Sequence, residues 1–315
     1  MSATELKKFI RNTAEKLGFS KIGIAPAIYH PSPEKHLFSW LEKDYHATMQ
    51  WMEKRSAKRG NIHNYFPDAK SVISIGLNYF TGTASNQKDV GKISNYAWGD
   101  DYHSIIKPRL YQLLSKIKSI HPKVNGIACV DTSPILEKDW AQKAGLGWIG
   151  KHTNLITQDF GSWIFLGELL LDIELEYDNP FIEDLCGTCT ACLDACPTDA
   201  FPEPYVLDSS KCISYLTIEH RGDLPVEMED KISGWIYGCD ICQEVCPWNI
   251  KFSQTSKESA FQLRPNLQNR TINGWKNLSE EEFKEMFKGS AIKRTKYDGL
   301  KRNINSARKS LGESM

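Results

Sequence analysis

The chain has 315 residues, of which 41% are hydrophobic and 25% are charged, and its formal net charge is zero. This composition is typical of a globular protein, and the length fits two domains better than one core. The first 18 residues alternate charged and apolar side chains, and no window approaches 18 apolar residues. We therefore expect no secretory signal, no twin-arginine leader and no membrane span, which favours a cytoplasmic protein.

Hydrophobic periodicity predicts mixed helices and strands over the first 180 residues. Apolar residues at helical spacing favour helices at 4–17, 33–43 and 103–120. Ser133 and Pro134 are typical of the start of a further helix, which the pattern ends near residue 144. Apolar, β-branched runs predict strands over the ranges 21–25, 71–78, 124–130 and 163–171.

Common nucleotide-binding motifs are missing from this first part. No G-x-G-x-x-G opens a helix after a strand, and no G-x-x-x-x-G-K-[ST] occurs. Neither a Rossmann nicotinamide site nor a P-loop is therefore supported. A tight group of basic residues is interpreted as a solvated helix face; it comprises Lys54, Arg55, Lys58 and Arg59.

Asp131 stands directly after the predicted strand 124–130. Active-site residues collect at the carboxyl ends of strands in α/β layers, so this position suits a catalytic carboxyl group. An aspartate just before a predicted helix also suits helix capping. The residues alone leave both roles open.

The strongest motif is a run of cysteines between residues 186 and 247. Its first half has the C-x2-C-x2-C-x3-C-P spacing of bacterial ferredoxins, formed by Cys186, Cys189, Cys192, Cys196 and Pro197. A partial copy consists of Cys212, Cys239, Cys242, Cys246 and Pro247. In such pairs the last cysteine of each run binds the other cluster. This rule assigns one 4Fe-4S cluster to Cys186, Cys189, Cys192 and Cys246, and a second to Cys196, Cys212, Cys239 and Cys242.

Zinc and disulfide bonds are the simpler alternatives for these cysteines. Structural zinc takes four ligands in pairs and has no need of a four-cysteine run with a copy. Disulfide bonds are not expected in a cytoplasmic chain. The ninth cysteine, Cys129, lies in the apolar run 124–130 and is interpreted as an inert core thiol.

Charge is unevenly distributed along the second half of the chain. Residues 172–184 hold six acidic residues and no basic one, which is typical of a linker leading into the cysteine run. Residues 288–309 hold eight basic residues and one acidic residue. This basic segment is a candidate surface for anions or nucleic acid, and a solvated basic helix is the alternative.

Taken together, the motifs resemble the epoxyqueuosine reductase family. The resemblance extends from about residue 5 to about residue 310 and is carried by Ala97-Trp98-Gly99-Asp100-Asp101-Tyr102-His103, Val130-Asp131-Thr132-Ser133, Gly145-Leu146-Gly147-Trp148-Ile149-Gly150-Lys151, Cys212-Ile213-Ser214-Tyr215-Leu216-Thr217, Tyr237-Gly238-Cys239-Asp240-Ile241-Cys242 and the ferredoxin run. It implies an α+β fold, with a nitroreductase-like cobalamin-binding α/β domain followed by a bacterial two-cluster ferredoxin-like domain. We expect the first over residues 1–180, the second over 181–252, and a helical basic C-terminal tail over 253–315.

The family's reaction implies an oxidoreductase that converts epoxyqueuosine at the tRNA wobble position to queuosine, the last step of queuosine biosynthesis. This removal of an epoxide oxygen takes two electrons and two protons and is expected to pass through cob(I)alamin fed by two 4Fe-4S clusters. The resemblance makes Asp131 the proton donor. We expect burial beside the corrin to raise the pKa of Asp131.

The resemblance also implies a set of cobalamin contacts in addition to Asp131, namely Arg55, Ser94, Leu155, Leu166, Ser214 and Asp240. The D-x-H-x-x-G cobalamin signature is missing, because no glycine completes the pattern after Asp101 and His103. We therefore expect base-off cobalamin without an axial histidine from the protein. His152 and Asn154 depart from the family pattern and put the contacts of their loop in doubt.

Some relatives continue into a helical-repeat domain that this sequence lacks. Transfer RNA carrying epoxyqueuosine is therefore expected to contact the basic tail through Lys293, Arg294, Lys296, Lys301 and Arg302. The other expected partner is a low-potential electron donor, and we expect a monomer. Two alternatives remain: another corrinoid and iron-sulfur reductase of the reductive dehalogenase type, and a non-catalytic electron-transfer or cobalamin-binding module.

Overall fold

The computed structural model describes residues 1–82, 90–268 and 270–312, and it divides into two compact units. The first compact unit comprises Met1–Asp44, Gln50–Asn78 and Tyr102–Cys189. The second comprises Tyr45–Met49, Tyr79–Asp101 and the chain from Thr190 onward. The chain therefore passes between the units several times.

These compact units do not follow the three ranges expected from sequence. Residues 253–268 and 270–312 belong to the same unit as most of the cysteine run, and Tyr79–Asp101 joins them. Pattern reasoning divides a chain by consecutive segments, whereas packing groups segments that are distant in sequence. The functional division into cobalamin, cluster and tRNA-binding parts stays a prediction.

Within the described ranges, the strands are β1 (Lys21–Pro26), β2 (Ser71–Asn78), β3 (Lys92–Ile93), β4 (Gly126–Cys129), β5 (Trp148–Ile149), β6 (Leu155–Ile156), β7 (Ile164–Leu171) and β8 (Trp235–Tyr237). The helices are α1 (Ala3–Lys16), α2 (Pro31–Glu42), α3 (Gln50–Lys54), α4 (Ser56–Gly60), α5 (His103–Ile120), α6 (Glu137–Lys143), α7 (Ala191–Asp194), α8 (Ile213–Ile218), α9 (Val226–Glu229), α10 (Ile241–Glu244), α11 (Pro247–Phe252), α12 (Ile272–Lys276), α13 (Glu280–Met286) and α14 (Lys296–Ser310). Short 3₁₀ helices cover Ile62–Asn64, Asn95–Ala97, Ser209–Lys211, Asp230–Ile232, Ser259–Phe261, Pro265–Leu267 and Ala291–Thr295.

The first compact unit is built on an antiparallel sheet in the order β1-β2-β7-β4. The central strands β2 and β7 are rich in Val, Ile and Leu and are almost entirely buried, as expected for strands covered on both faces. Glu168 of β7 pairs with Ser74 of β2 on one side and with Cys129 of β4 on the other. Directly paired residues share a face, so these three side chains form a polar row in an apolar sheet.

Helix α6 packs on β7 and β2, and it begins later than the sequence predicts. Its first residue is Glu137 and its N-cap is Leu136, which makes no capping hydrogen bond. The expectation of a helix starting at Ser133 and Pro134 is therefore wrong. The Ser133 carbonyl instead accepts a hydrogen bond from the Arg59 guanidinium at 3.3 Å, and residues 131–136 run as an irregular segment.

The second compact unit has its own hydrophobic core, which comes largely from the end of the chain. Trp275, Phe287 and Leu300 are almost fully buried there, together with Trp235 and Tyr237 of β8. The amide of Asn303 in α14 donates to the carbonyls of Thr217 and Ile236 at 2.7 and 2.9 Å. The segment expected as a tail is thus part of the core of this unit.

No helix in residues 1–82, 90–268 and 270–312 has both the length and the apolar character needed to cross a membrane.

Candidate active site

Asp131 lies two residues beyond the end of β4, and its backbone has the left-handed φ of 44°. Its side chain is 55% exposed, and its Oδ2 lies 3.2 Å from Nε2 of His103, the first residue of α5. The Tyr102 ring stacks on both His103 and Phe165, with centroids 4.2 Å apart in each case. The strand end and the helix start therefore present a half-exposed carboxyl group with an imidazole partner.

The pKa of Asp131 is lowered. Surrounding protein favours the neutral acid, but the hydrogen bond and charge of His103 outweigh it, aided by a hydrogen bond from Tyr102 and the charge of Arg59. This direction is opposite to the one expected from sequence, because the neighbours stabilise the carboxylate. The 55% exposure of the side chain also limits how much its burial can favour the neutral form.

Two more carboxyl groups lie behind Asp131. The Glu137 Oε1 accepts the Asp131 N–H at 2.5 Å, and burial together with the charge of Asp131 raises the pKa of Glu137 to about 8. Glu168 is fully buried, and burial together with the charge of Glu137 raises its pKa well above the ordinary value. Among the described residues no donor reaches either Glu168 oxygen. The carboxyl group of Glu137 is close enough to hydrogen-bond to it when one of the two is protonated.

Arg59 supplies the buried positive charge near Asp131. It is 6% exposed and donates to the carbonyls of Ser133 and Ile135 at 3.3 and 3.4 Å, so it braces the segment that follows Asp131. Its guanidinium carbon also lies 5.2 Å from the ring centroid of Trp51. The interpretation of this basic group as a solvated face is therefore wrong for Arg59, whereas Lys54, Arg55 and Lys58 are exposed.

The predicted cobalamin contacts of the first compact unit fall into two groups. Leu155 is buried, and the partly exposed Leu166 packs against the same hydrophobic cluster, which also contains Cys129 and Trp140. The two leucines therefore belong to the surroundings of one cluster, which also includes Trp140 and Ala141 of α6. Arg55 stands apart as an exposed residue at the N-cap of α4.

In the second compact unit the structure joins two other predicted contacts directly. The Ser94 hydroxyl donates to Oδ1 of Asp240 at 2.5 Å, and the Asn95 N–H donates to Oδ2 at 2.7 Å. Asp240 is 1% exposed, and burial raises its pKa to about 7 despite these donors. Ser214, the remaining predicted contact, is partly buried at the start of α8, next to Cys212.

The thiols assigned to the second cluster occupy one neighbourhood of the second compact unit. Burial raises the pKa of Cys212, Cys239 and Cys242, and the charges of neighbouring cysteines, Cys196 among them, raise it further. The Ala200 N–H donates to the Cys196 sulfur at 3.4 Å. Partly buried thiols that receive N–H donors suit iron-sulfur ligation, in which hydrogen bonds to sulfur help set the reduction potential.

The cysteines assigned to the first cluster divide between the units, with Cys186 and Cys189 in the first and Cys192 and Cys246 in the second. Lys151 braces the Cys186–Cys189 turn: its Nζ donates to the carbonyls of Gly187 and Cys189 at 2.7 and 2.9 Å. Lys151 is 9% exposed, and no carboxylate among the described residues pairs with it. Buried cations need a counter-charge, and an anionic thiolate-bound cluster fits that need.

The basic residues expected to contact tRNA are not equivalent. Arg294 makes two hydrogen bonds with Glu219, each 2.8 Å long. Arg302 donates to the carbonyls of Leu216, His220 and Gly222, and desolvation lowers its pKa. Lys293, Lys296 and Lys301 are exposed, as is Arg294 despite its pairing with Glu219.

The departures His152 and Asn154 form a local network in the first compact unit. The Asn154 N–H donates to Nδ1 of His152 at 3.2 Å, and Oδ1 of Asn154 accepts from Lys138 at 3.1 Å. Burial lowers the pKa of His152 to about 4, so the ring is neutral near neutrality. These two residues therefore shape the loop between β5 and β6.

Sequence reasoning missed His103, Glu137 and Glu168 as parts of the site, and it misread Arg59. Glu168 interrupts an apolar strand, which was a detectable signal, because a carboxyl group in a central strand is costly to bury. The roles of Glu137 and His103 depend on where α6 and α5 begin in space, and no spacing rule indicates them.

The cysteine arrangement defines a double 4Fe-4S cluster protein, and comparison with known proteins agrees. Residues 185–249 match the family described as "4Fe-4S double cluster binding domain", and residues 59–132 match "Epoxyqueuosine reductase QueG, DUF1730". An epoxyqueuosine reductase of Cellulophaga algicola is 48% identical over 94% of this chain and 96% of that protein. One from Synechocystis is 45% identical over 90% of this chain and 99% of that protein.

Solved structures of epoxyqueuosine reductases are also similar to this chain. A crystal structure of epoxyqueuosine reductase with an epoxyqueuosine-modified tRNA-Tyr stem loop matches with a TM-score of 0.91 and 31% identity, over 99% of this chain and 83% of that one. A Bacillus subtilis epoxyqueuosine reductase, solved with its catalytic aspartate loop swung out of the active site, gives 0.89 and 29% over 99% and 83%. The chain belongs to the epoxyqueuosine reductase family. Its activity is that of an oxidoreductase. The comparisons confirm the family, the α+β fold and the 4Fe-4S clusters predicted from the sequence.

Proposed function

We propose that this chain reduces the epoxide of epoxyqueuosine in tRNA to the alkene of queuosine, with Asp131 as the general acid. The reaction consumes two electrons and two protons, and the epoxide oxygen leaves as water. The observation that carries the proposal is the half-exposed Asp131 carboxyl group with His103 3.2 Å away. The Bacillus subtilis relative with a movable catalytic aspartate loop supports placing catalysis in the loop after β4.

Asp131 and His103 hold the proton as a pair. With its pKa lowered, Asp131 rests as a carboxylate that accepts a hydrogen bond from His103, and a proton held by His103 reaches the substrate oxygen through Asp131. An oxygen that gains negative charge as its C–O bond breaks is a much stronger base than a carboxylate, so it can take the proton from the pair. Tyr102, stacked between His103 and Phe165, keeps the imidazole in place for this transfer.

The chain's own side chains can hold the cofactors that this reaction needs. The two cysteine sets given above would bind the 4Fe-4S clusters, and the corrin would contact Arg55, Ser94, Leu155, Leu166, Ser214 and Asp240. When bound, the clusters supply electrons singly and cobalamin supplies a cobalt centre able to react with the epoxide carbon. The apolar pair Leu155 and Leu166 and the half-exposed Asp131 suit the face of such a ring.

The test is anaerobic turnover of epoxyqueuosine-containing tRNA by protein reconstituted with iron, sulfide and cobalamin, with a low-potential chemical reductant. Asp131→Asn keeps the shape of the side chain but cannot supply the proton, and we expect queuosine formation to fall about 10²- to 10⁴-fold. The control Asp139→Asn changes a carboxylate of α6 that pairs with Lys143, and we expect a change within about twofold.

Two results would contradict the proposal. If the fully loaded wild type makes no queuosine, the substrate is wrong, and another corrinoid reductase activity becomes the better hypothesis. If Asp131→Asn turns over at the wild-type rate, Asp131 is not the acid.

We infer that the exposed lysines of the basic segment bind the tRNA backbone. Lys293, Lys296 and Lys301 are free of carboxylate partners among the described residues, unlike Arg294. Replacing these three lysines with alanine should weaken tRNA binding and reduce the salt dependence by about one unit of slope for each lysine–phosphate interaction that the variant no longer makes. Arg302→Ala is the contrast, because it removes hydrogen bonds to carbonyls and should lower stability while leaving the salt slope unchanged. An unchanged slope in the lysine variant would remove this surface from consideration.

A further inference from the structure

Asp131 adopts a backbone conformation that residues other than glycine adopt only rarely. A non-glycine residue at a φ of 44° is in the left-handed region, which costs about 1 kcal/mol or more. Within the loop 131–136 the Ile135 N–H donates to the Ser133 carbonyl at 2.9 Å, and this hydrogen bond does not involve Asp131. A contact from outside the loop can therefore help to hold Asp131 in this conformation.

Glu137 makes the contact that does so. Its Oε1 accepts the Asp131 N–H at 2.5 Å. Glu137 is the first residue of α6, which packs on β7 and β2, so the acceptor is fixed to the sheet rather than to the loop. Arg59 secures the other end of the loop through the carbonyls of Ser133 and Ile135.

Glu168 explains how Glu137 is kept in place. Glu168 is 0% exposed, and none of the described residues gives either of its oxygens a donor. The β7 strand fixes it between Ser74 and Cys129, whose side chains lie on the same face of the sheet. A carboxyl group in that setting keeps a proton, and the carboxyl group of Glu137 is the partner that can share it.

We propose that Glu137, sharing one proton with Glu168, is a positioning residue that holds the Asp131 loop in its left-handed conformation. One carboxyl oxygen of Glu137 accepts the Asp131 N–H, and the other faces Glu168 across the shared proton. The inference rests on the proposed function only in taking Asp131 as the acid; the tether itself is independent of that role. The groups whose charges act on Glu137 include Asp131, His103, Lys138, Glu168 and Arg59.

Glutamine and alanine at position 137 separate positioning from proton supply. The carbonyl oxygen of Glu137→Gln can accept the Asp131 N–H, and its NH₂ can donate to Glu168, but it holds no titratable proton. Glu137→Ala removes both interactions. Glu137→Asp shortens the side chain by one methylene and serves as a milder truncation if the alanine variant does not fold. Asp139→Ala, on the same helix, is the control.

The first readout is hydrogen exchange of the Asp131 amide in the protein isolated without cobalamin. We expect the wild type, Glu137→Gln and Asp139→Ala to show similar protection. Exchange should be about fivefold to tenfold faster in Glu137→Ala or Glu137→Asp, as for loss of one hydrogen bond. Similar exchange in all variants would overturn the tether.

The second readout is turnover by the reconstituted enzyme. A misplaced acid should lower kcat about tenfold or more in Glu137→Ala with little change in KM for tRNA, and Glu137→Gln should keep the wild-type kcat and pH profile. Loss of activity in Glu137→Gln with normal amide protection would overturn positioning in favour of proton supply. Faster exchange in Glu137→Ala with unchanged kcat would confirm the hydrogen bond but refute the positioning role, and Asp131→Asn alone decides whether Asp131 is the acid.

Discussion

Asp240 and Glu168 are buried carboxyl groups in different compact units, and they differ in the hydrogen-bond donors that surround them. Asp240 is 1% exposed and receives the Ser94 hydroxyl and the Asn95 N–H. Glu168 is 0% exposed and, among the described residues, receives no donor. Burial raises the pKa of both, to about 7 for Asp240 and well above the ordinary value for Glu168. Hydrogen-bond donors stabilise the ionised form of a buried acid. Without donors, burial favours the neutral form, and the acid keeps its proton.

The contrast applies to these two carboxyl groups and not to the units as wholes, because the buried Trp235 and Trp275 indole N–H groups of the second unit also lack an acceptor among the described residues. In the second unit, Asn303 and Arg302 satisfy backbone carbonyls, and the core closes with these polar groups paired. In the first unit, Glu168 lies directly behind the loop of Asp131 with no donor among the described residues. Unpaired buried groups are costly, and they are retained mainly where function needs them. An unpaired buried carboxyl group such as Glu168 is therefore a position to test for a role in function.

The largest effect is expected from the thiols of the second unit. Cys242→Ser should remove the second cluster, reduce bound iron to about half and abolish turnover, because a hydroxyl is a poor replacement for a thiolate ligand. Iron and sulfide analysis of the reconstituted protein measures this. Cys129→Ala is the matched control, since Cys129 is a buried thiol outside both cysteine sets. Equal iron in wild type and Cys242→Ser would refute the ligand assignment.

Lys151 offers a test of polar satisfaction in the first unit. Lys151→Met keeps the length of the side chain but leaves the carbonyls of Gly187 and Cys189 without their donor. We expect a loss of about 2 to 4 kcal/mol in the stability of this turn. The measurement is the urea concentration at which the anaerobic holoprotein loses its visible absorbance. The exposed Lys123→Met should leave that midpoint unchanged, and an unchanged midpoint in Lys151→Met would show that the two hydrogen bonds are dispensable.

Replacing Asp240 with asparagine tests how much the two hydrogen-bond donors stabilise this buried carboxyl group. Asp240→Asn can accept only one of the two donors and points its NH₂ toward the other, so we expect a loss of about 1 to 3 kcal/mol. Urea unfolding at pH 7 measures it. Ser94→Ala, which removes one donor and leaves the Asn95 N–H, should cost less. A stability equal to the wild type in Asp240→Asn would mean that the two donors do not hold the carboxyl group.

Glu168→Gln is expected to raise the stability of the folded protein, whereas Asp240→Asn lowers it. Because burial raises the pKa of the Glu137 and Glu168 pair so that it keeps its shared proton, the folded protein holds more protons than the unfolded chain above about pH 4.5. Stability therefore falls as pH rises through this window, by at most about 1.4 kcal/mol per pH unit for each proton. Glu168→Gln should flatten that slope and raise stability at pH 8. Urea midpoints from pH 5 to pH 8 test this, and an unchanged slope would contradict the buried shared proton.

The sequence by itself determined the features that depend on local spacing. The cysteine run indicated a double-cluster domain, and the described bounds of β2 and α5 match the predicted ranges. These succeed because cluster ligation and apolar periodicity both operate over short stretches of chain. The family resemblance was carried in the same way, by short motifs whose order and spacing hold along the chain.

Only the tertiary structure decided how distant residues share an environment. Strand register placed Glu168 beside Cys129, and the late start of α6 brought Glu137 to the Asp131 N–H. Burial turned Arg59 from an expected surface charge into a brace for the same loop. The neighbours that lower the pKa of Asp131 come from α5 and α4, so its direction was out of reach of sequence reasoning. A pKa reports the sum of fields from groups brought together by folding, and no linear pattern contains that sum.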